Sequence, residues 1–310
     1  MRATRHGANS RNIRSVAGPA RLRRNRAVIH GGGCEMSIQA DAGAGFRAAA
    51  IVAMAILSEP SASLSAQWLK IALPETPRTA DGRPNLTAPA PTSDDGKPDL
   101  SGIWLRAPGI SAPRDNRAGL PGRMEHFMPR GSQIPLRPEA AALYQRRSEN
   151  LGKGRPSERC LPHGIPDAML YGGPMKIVQN RRLTLILFEE FNHFRQLFTD
   201  GRPFPQDPQP AWFGYSIGRW DGEAFVVDSM GFNDQTWMDD SGLPHTDALR
   251  TTERFRRRDF GHLDLQITFD DVKTFTMPWS VNLTFNIQPD TELIESICEN
   301  ELDGKHMVGK

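Results

Sequence analysis

The chain has 310 residues, of which 38% are apolar and 24% charged, with a formal net charge of +2. That is enough apolar chain to bury a sizeable core in one large or two small domains, and downstream bases alternate with acids, which excludes the basic stripe of a nucleic-acid binder. The 25 prolines and 28 glycines point away from a helical protein, towards short strands, turns and long loops.

Residues 1–35 are rich in arginine from Arg2 to Arg26, with one acid, Glu35, and no apolar periodicity. They read as an unstructured or untranslated leader, with a transit peptide or nucleic-acid arm as the competing reading. From Met36 the order is Arg47, an apolar run over 48–57, then small residues to Ala66. This is the layout of a secretory signal peptide over 36–66, too short in its apolar run to span a bilayer. The expectation is a periplasmic or secreted bacterial protein that starts near Gln67, without stable membrane insertion. Cys34 falls in the leader, so Cys160 and Cys298 remain and are expected to form a disulfide. The alternatives are a reactive Cys160 thiol beside His163, and a zinc site that neither cysteine has the CxxC spacing to build.

Residues 67–100 form an extended lead-in with an internal repeat, Thr79-Ala-Asp-Gly-Arg-Pro-Asn-Leu86 and Ser93-Asp-Asp-Gly-Lys-Pro-Asp-Leu100. Two solvated turns are expected, since the acids lack the spacing of a calcium loop. A strand then starts around 99–104, and Gly102-x-Trp104 resembles the first strand of lipocalin-like barrels. Residues 106–174 are proline-rich and irregular, with one helical stretch over 138–151 that opens on Pro138 and Glu139. A loop this long reads as a lid, and Met124, Phe127, Met128, Met169 and Tyr171 would give it an apolar inner face.

From residue 175 the strand pattern is sustained: 175–179, 183–190, 194–199, 215–220, 223–230, 252–258, 262–269, 274–279, 282–288 and 292–299. Asp221-Gly222 suggests a type I′ hairpin turn. Leu265, Ile267 and Phe269 alternate with polar neighbours, as do Val281, Leu283, Phe285 and Ile287. The expected fold is all-β: an antiparallel meander closed into a barrel of about eight to ten strands, which removes exposed edges and leaves room for one small ligand. One or two short helices at most are expected.

The motif order Cys160-Leu-Pro-x-Gly164, Gly214-x-Ser-x-Gly-Arg-Trp-Asp-Gly222, Val226-Val-Asp228, Gly242-x-Pro-His245, Glu253-Arg-Phe255, Pro278-Trp279 and Cys298-Glu-Asn300 resembles a group of exported proteins common in soil and aromatic-degrading bacteria. The resemblance implies a secreted lipocalin-like barrel and carries no particular reaction with it. Glu223-Ala-Phe225 departs from that group's Asp-Thr-Leu.

Gly214-Tyr-Ser216-Ile-Gly218 matches the Gly-x-Ser-x-Gly elbow of serine hydrolases in letters only, because a second strand follows where the elbow needs a helix. Residues 232–249 are denser in proton-moving groups: Asp234, Asp239, Asp240, His245 and Asp247 beside Trp237. His245 with Asp234 or Asp239, assisted by Glu253, forms the expected catalytic set, against the bland reading of a solvated acidic loop. A metal set of His245, Asp247 and Asp239 meets no known spacing. Arg195, Asp228 and Glu253 share strand faces with apolar residues, so they either pair as staples or line a cavity. Arg195, Trp220, Asp228, Trp237 and Tyr171 are the expected ligand contacts, and His193 reads as an exposed turn residue. No dinucleotide fingerprint, P-loop or zinc motif occurs, so no cofactor is implied. The leading functional expectation is cofactor-independent acid/base chemistry, of the lyase, hydratase or isomerase type, on a small hydrophobic or aromatic molecule. The alternatives are a lipocalin-like binding protein and, remotely, a serine hydrolase using Ser216.

Overall fold

The computed structural model describes residues 71–109 and 123–298. The expected leader, signal peptide and cleavage site, and residues 110–122 of the lid, lie outside them. Nine strands close into a barrel in chain order. They are β1 (Gly102–Arg106), β2 (Met175–Val178), β3 (Leu183–Phe188), β4 (Phe194–Phe198), β5 (Tyr215–Asp221), β6 (Ala224–Met230), β7 (Arg250–Arg257), β8 (His262–Asp270) and β9 (Trp279–Ile287). Their period-two alternation is the cause. Leu263, Leu265, Ile267 and Phe269 of β8, and Val281, Leu283, Phe285 and Ile287 of β9, are buried on the inside while the residues between them face out. The helices are α1 (Pro138–Glu149), α2 (Asp167–Leu170) and short 3₁₀ turns.

Three expectations need correction. The barrel is not wholly antiparallel, because β4 and β5 pair in parallel through Leu197–Ser216 and Phe198–Ile217. Residues 199–214 contain Pro203, Pro205, Pro208 and Pro210, which cannot donate to a ladder, so the chain travels back along the barrel before β5 starts. The expected strands at 274–279 and 292–299 are also absent from the described residues. Asp271 accepts the backbone N–H groups of Lys273 (3.0 Å) and Thr274 (3.2 Å), which turns the chain until β9 starts at Trp279. The segment after Asp290 instead covers the barrel, tied by Lys176–Glu292 (2.7 Å) and by the Cys160–Cys298 disulfide. Finally, the β5–β6 hairpin turns on Gly222 and Glu223, and positive φ occurs only at Gly222 (+60°), the pattern of a type II′ turn.

The lead-in caps one barrel end. Its two repeats fold alike, the backbone N–H groups of Thr79 and Ser93 donating to the carbonyls of Arg83 and Lys97 at 2.8 Å. Beneath them Trp104, fully buried, donates from Nε1 to the Leu100 carbonyl at 2.9 Å. The guanidinium of Arg257 lies 4.9 Å above the Trp104 ring and donates to the carbonyls of Asp99, Ser101, Asp259 and Phe260. Gly102-x-Trp104 thus opens the first strand of the barrel.

Large side chains crowd the interior. Trp104, Phe225, Phe255, Phe269 and Phe285 are all less than 2% or about 2% exposed and belong to one core cluster. Among them Arg195 on β4 and Glu253 on β7 form a two-pronged ion pair, with N–O distances of 2.9 and 2.5 Å and side chains 1% and 0% exposed. Arg195 also donates to Ser216 and Ser229. Ser216 is therefore an interior strand residue, not a nucleophile elbow. Asp228 points outward, pairing with Arg219 and accepting from Thr252 (2.7 Å), because Phe225, Val227 and Ser229 take the inner face of β6.

Removing one partner of so deeply buried a pair strands a charge. Glu253→Leu alone is expected to lose about 3–5 kcal/mol of stability. The double variant Arg195→Met with Glu253→Leu should recover most of it, as read from urea midpoints.

Candidate functional site

The lid and the acidic loop meet at the barrel end opposite Trp104. Residues 236–245 are buried throughout, against the alternative reading of a solvated loop. Asp239 explains the local fold: its carboxylate accepts the backbone N–H groups of Ser241 (3.0 Å), Leu243 (3.1 Å) and, from the lid, Met124 (2.9 Å). Burial pushes its carboxyl up to about 6. From α1, Tyr144 donates to Glu125 (2.7 Å), and Arg147 stacks 4.3 Å from the Trp237 ring while donating to the Gly242 carbonyl at 3.2 Å. Asp239 and Trp237, expected as catalytic and ligand-binding residues, thus hold the lid in place.

His245 is buried, and its partners are not aspartates. Its Nδ1 faces the Thr246 carbonyl at 2.9 Å, an acceptor only, so Nδ1 carries the proton and Nε2 accepts from the Thr236 hydroxyl. Asp271 fixes this arrangement from behind by accepting the Thr246 N–H (2.7 Å) and hydroxyl (2.9 Å). Burial lowers the His245 pKa, only partly opposed by the Thr246 carbonyl and the charges of Asp271 and Asp234, so the imidazole is neutral at physiological pH. Thr236 is positioned by Gly164. A Cβ there would stand 2.5 Å from Thr236 Cγ2 and 2.8 Å from the Trp212 carbonyl, at a φ of +74°.

Thr236 and His245 line a cavity of about 600 Å³, together with Leu143, Arg147, Phe232 and Asp234. Asp234, exposed, reaches this cavity as expected of a site residue, and Asp247 lines its rim in an ion pair with Lys273 (2.6 Å). The metal set of His245, Asp247 and Asp239 is not brought together. Glu253 and Arg195 pair inside the barrel, and Trp220 packs on Phe225 (5.2 Å between rings) at the other end.

A second cluster was missed. His163 Nδ1 lies 2.6 Å from Asp167 and 3.8 Å from Asp240, and its Nε2 lies 3.1 Å from Glu190. The ring stacks near Tyr171 (5.1 Å) and Phe191 (6.1 Å), so the expected ligand contact Tyr171 serves this histidine. Burial works against the charge on His163, but Asp167 and then Glu190 outweigh it and push its pKa up to about 11. Burial, followed by the charge of Asp167, raises Asp240. His193, expected to be exposed, is half-buried between Phe191 and Phe213. The i, i+4 spacing of His163 and Asp167 was visible in the sequence, but only across Pro166, where helical spacing carries no warrant. Thr236 had no signal at all, because a threonine becomes noteworthy only once a histidine nitrogen faces it.

No known protein-family model matches this chain, and no curated protein is significantly similar to it. The Cys160–Cys298 disulfide fits an oxidising compartment. No helix among the described residues is long and apolar enough to cross a membrane.

The depressed pKa of His245 makes a pH prediction. Below its unfolded value, about 6.5, the unfolded chain takes up a proton that the folded chain resists, so this group's contribution to stability is complete above that pH and is lost as pH falls. The stability difference between wild type and His245→Gln should therefore shift against wild type between about pH 7.5 and about pH 5, as measured by urea unfolding at both.

Proposed function

We propose that this barrel is an exported enzyme performing cofactor-independent proton transfer, as a lyase, hydratase or isomerase, on a small, largely apolar molecule held between α1 and residues 232–247. The observation that carries this reading is the neutral His245, its tautomer set by a backbone carbonyl and its Nε2 engaged by Thr236, on the wall of a cavity of about 600 Å³. The resemblance to exported bacterial proteins and the disulfide support export.

The chemistry follows from the hydrogen bonds. A substrate C–H or O–H proton passes to Thr236 Oγ1 as the threonine's own proton moves to His245 Nε2, and the imidazolium that forms is held by the Thr246 carbonyl and favoured by the charges of Asp271 and Asp234. Arg147, at the cavity wall, opposes protonation of His245 in the resting state and stabilises negative charge developing on the substrate. Reversal of the relay to another substrate atom completes an isomerisation, and expulsion of a leaving group completes an elimination.

The test is to incubate purified protein with a mixture of small aromatic and terpenoid compounds and follow masses and retention times. Turnover of one compound is expected, reduced by about 10²–10⁴-fold in His245→Gln and by at least about 10²-fold in Thr236→Val. A compound retained unchanged by wild type and both variants would make this a binding protein, and turnover indifferent to both substitutions would place the chemistry elsewhere.

A further inference from the structure

The His163 cluster is separate in its residues from the His245 cavity and does a different job. Three carboxylates converge on one ring: Asp167 and Asp240 at Nδ1 and Glu190 at Nε2, with Arg155 3.4 Å from Asp240 on the outside. His163, Asp167 and Asp240 have side chains 4%, 5% and 7% exposed. One atom from each of them lies within 4.8 Å of the others. Ion pairing alone does not complete this group. Asp167 Oδ1 is buried and has no hydrogen-bond partner, and Asp240 Oδ1, also without a hydrogen bond, lies between Arg155 Nε (3.4 Å) and His163 Nδ1 (3.8 Å). A buried carboxylate oxygen without a hydrogen bond is costly, and the distant Arg155 contact meets only that of Asp240, so something that accepts electron pairs from both would relieve the site.

We propose that His163 Nδ1, Asp167 and Asp240 bind a divalent transition-metal ion, with Glu190 as the outer partner that accepts the Nε2 proton and fixes the ring. The Glu190–His163 contact of 3.1 Å is the arrangement by which a carboxylate orients a metal-ligating histidine and raises its basicity. Two carboxylates match the double charge of the ion. The imidazole nitrogen selects Zn²⁺, Mn²⁺ or a similar ion over Mg²⁺ and Ca²⁺, which prefer oxygen alone. Tyr171 and Phe191 beside the ring limit its rotation, and the disulfide at Cys160 anchors the segment that carries it. On binding, the ion takes the place of the proton shared between Nδ1 and Asp167, so one proton leaves to solvent for each ion bound. Glu190, at 14% exposure the least covered of the four, marks the way in.

The experiment uses the whole, tag-free protein stripped with a chelator and titrated with Mn²⁺, free ion being followed by its paramagnetic resonance signal, with Zn²⁺ as competitor. Saturable binding of a single Mn²⁺ per chain is expected, displaced by Zn²⁺ and poorly by Mg²⁺, with coupling to an imidazole ¹⁴N visible by pulsed methods. Asp240→Asn should weaken binding at least about tenfold, and Glu190→Gln by about 10–100-fold, with unfolding temperatures recorded for both. If Asp240→Asn does not fold, the nitrogen coupling in wild type and the Glu190→Gln shift decide. Absence of saturable binding by either ion, binding without nitrogen coupling, or unchanged affinity in a folded Asp240→Asn would overturn the proposal. Because the readout is binding and not turnover, its failure leaves the His245 reading untouched, and loss of that reading leaves this one standing.

Discussion

The guanidinium of Arg195 and the carboxylate of Glu253 sit in the middle of the barrel, and the rest of the architecture accommodates them. Two charges taken out of water are tolerable only where every remaining donor is met, and Ser216 and Ser229 meet those of Arg195. The pair spans from β4 to β7, across the one parallel joint in the wall, where β4 and β5 share only two residue pairs. It draws together a part of the wall that the backbone ladder holds weakly, and the surrounding phenylalanines pack against it in one core.

The two barrel ends are built differently. One end is taken by Trp104 under Arg257 and the folded repeats of the lead-in. At the other, the lid and residues 232–249 bury each other, through Asp239 holding Met124 and Arg147 lying on Trp237. The long loops are therefore ordered by polar contacts to backbone groups, and this order sets the tautomer of His245 and the orientation of His163. Both histidines are buried, yet their charge states are opposite. His245 has a carbonyl and a hydroxyl for neighbours and stays neutral, whereas His163 has carboxylates on both nitrogens and stays charged.

The sequence alone determined the barrel, the disulfide and the first strand with its tryptophan, because each rests on a local regularity: alternation along strands, the two cysteines downstream of Cys34, a Gly-x-Trp at the start of the first strand. It also determined that Arg195 and Glu253 need partners, since both share a face with apolar residues. The same reasoning misassigned Asp228, because alternation says which residues share a face and not which face is inside; only pairing of β6 with β5 and β7 decides that. Strand pattern likewise could not separate β9 from the turn before it, which Asp271 makes by side-chain hydrogen bonds. The acidic loop was legible as a candidate site, but the distribution of its roles was not. Asp239 became a brace, Asp247 a surface ion pair, and the partners of His245 proved to be Thr236 and a carbonyl. Only tertiary structure decided these, because a proton-transfer site or a metal site is defined by distances of about 3 Å between residues far apart in the chain, and no periodicity in a sequence encodes them.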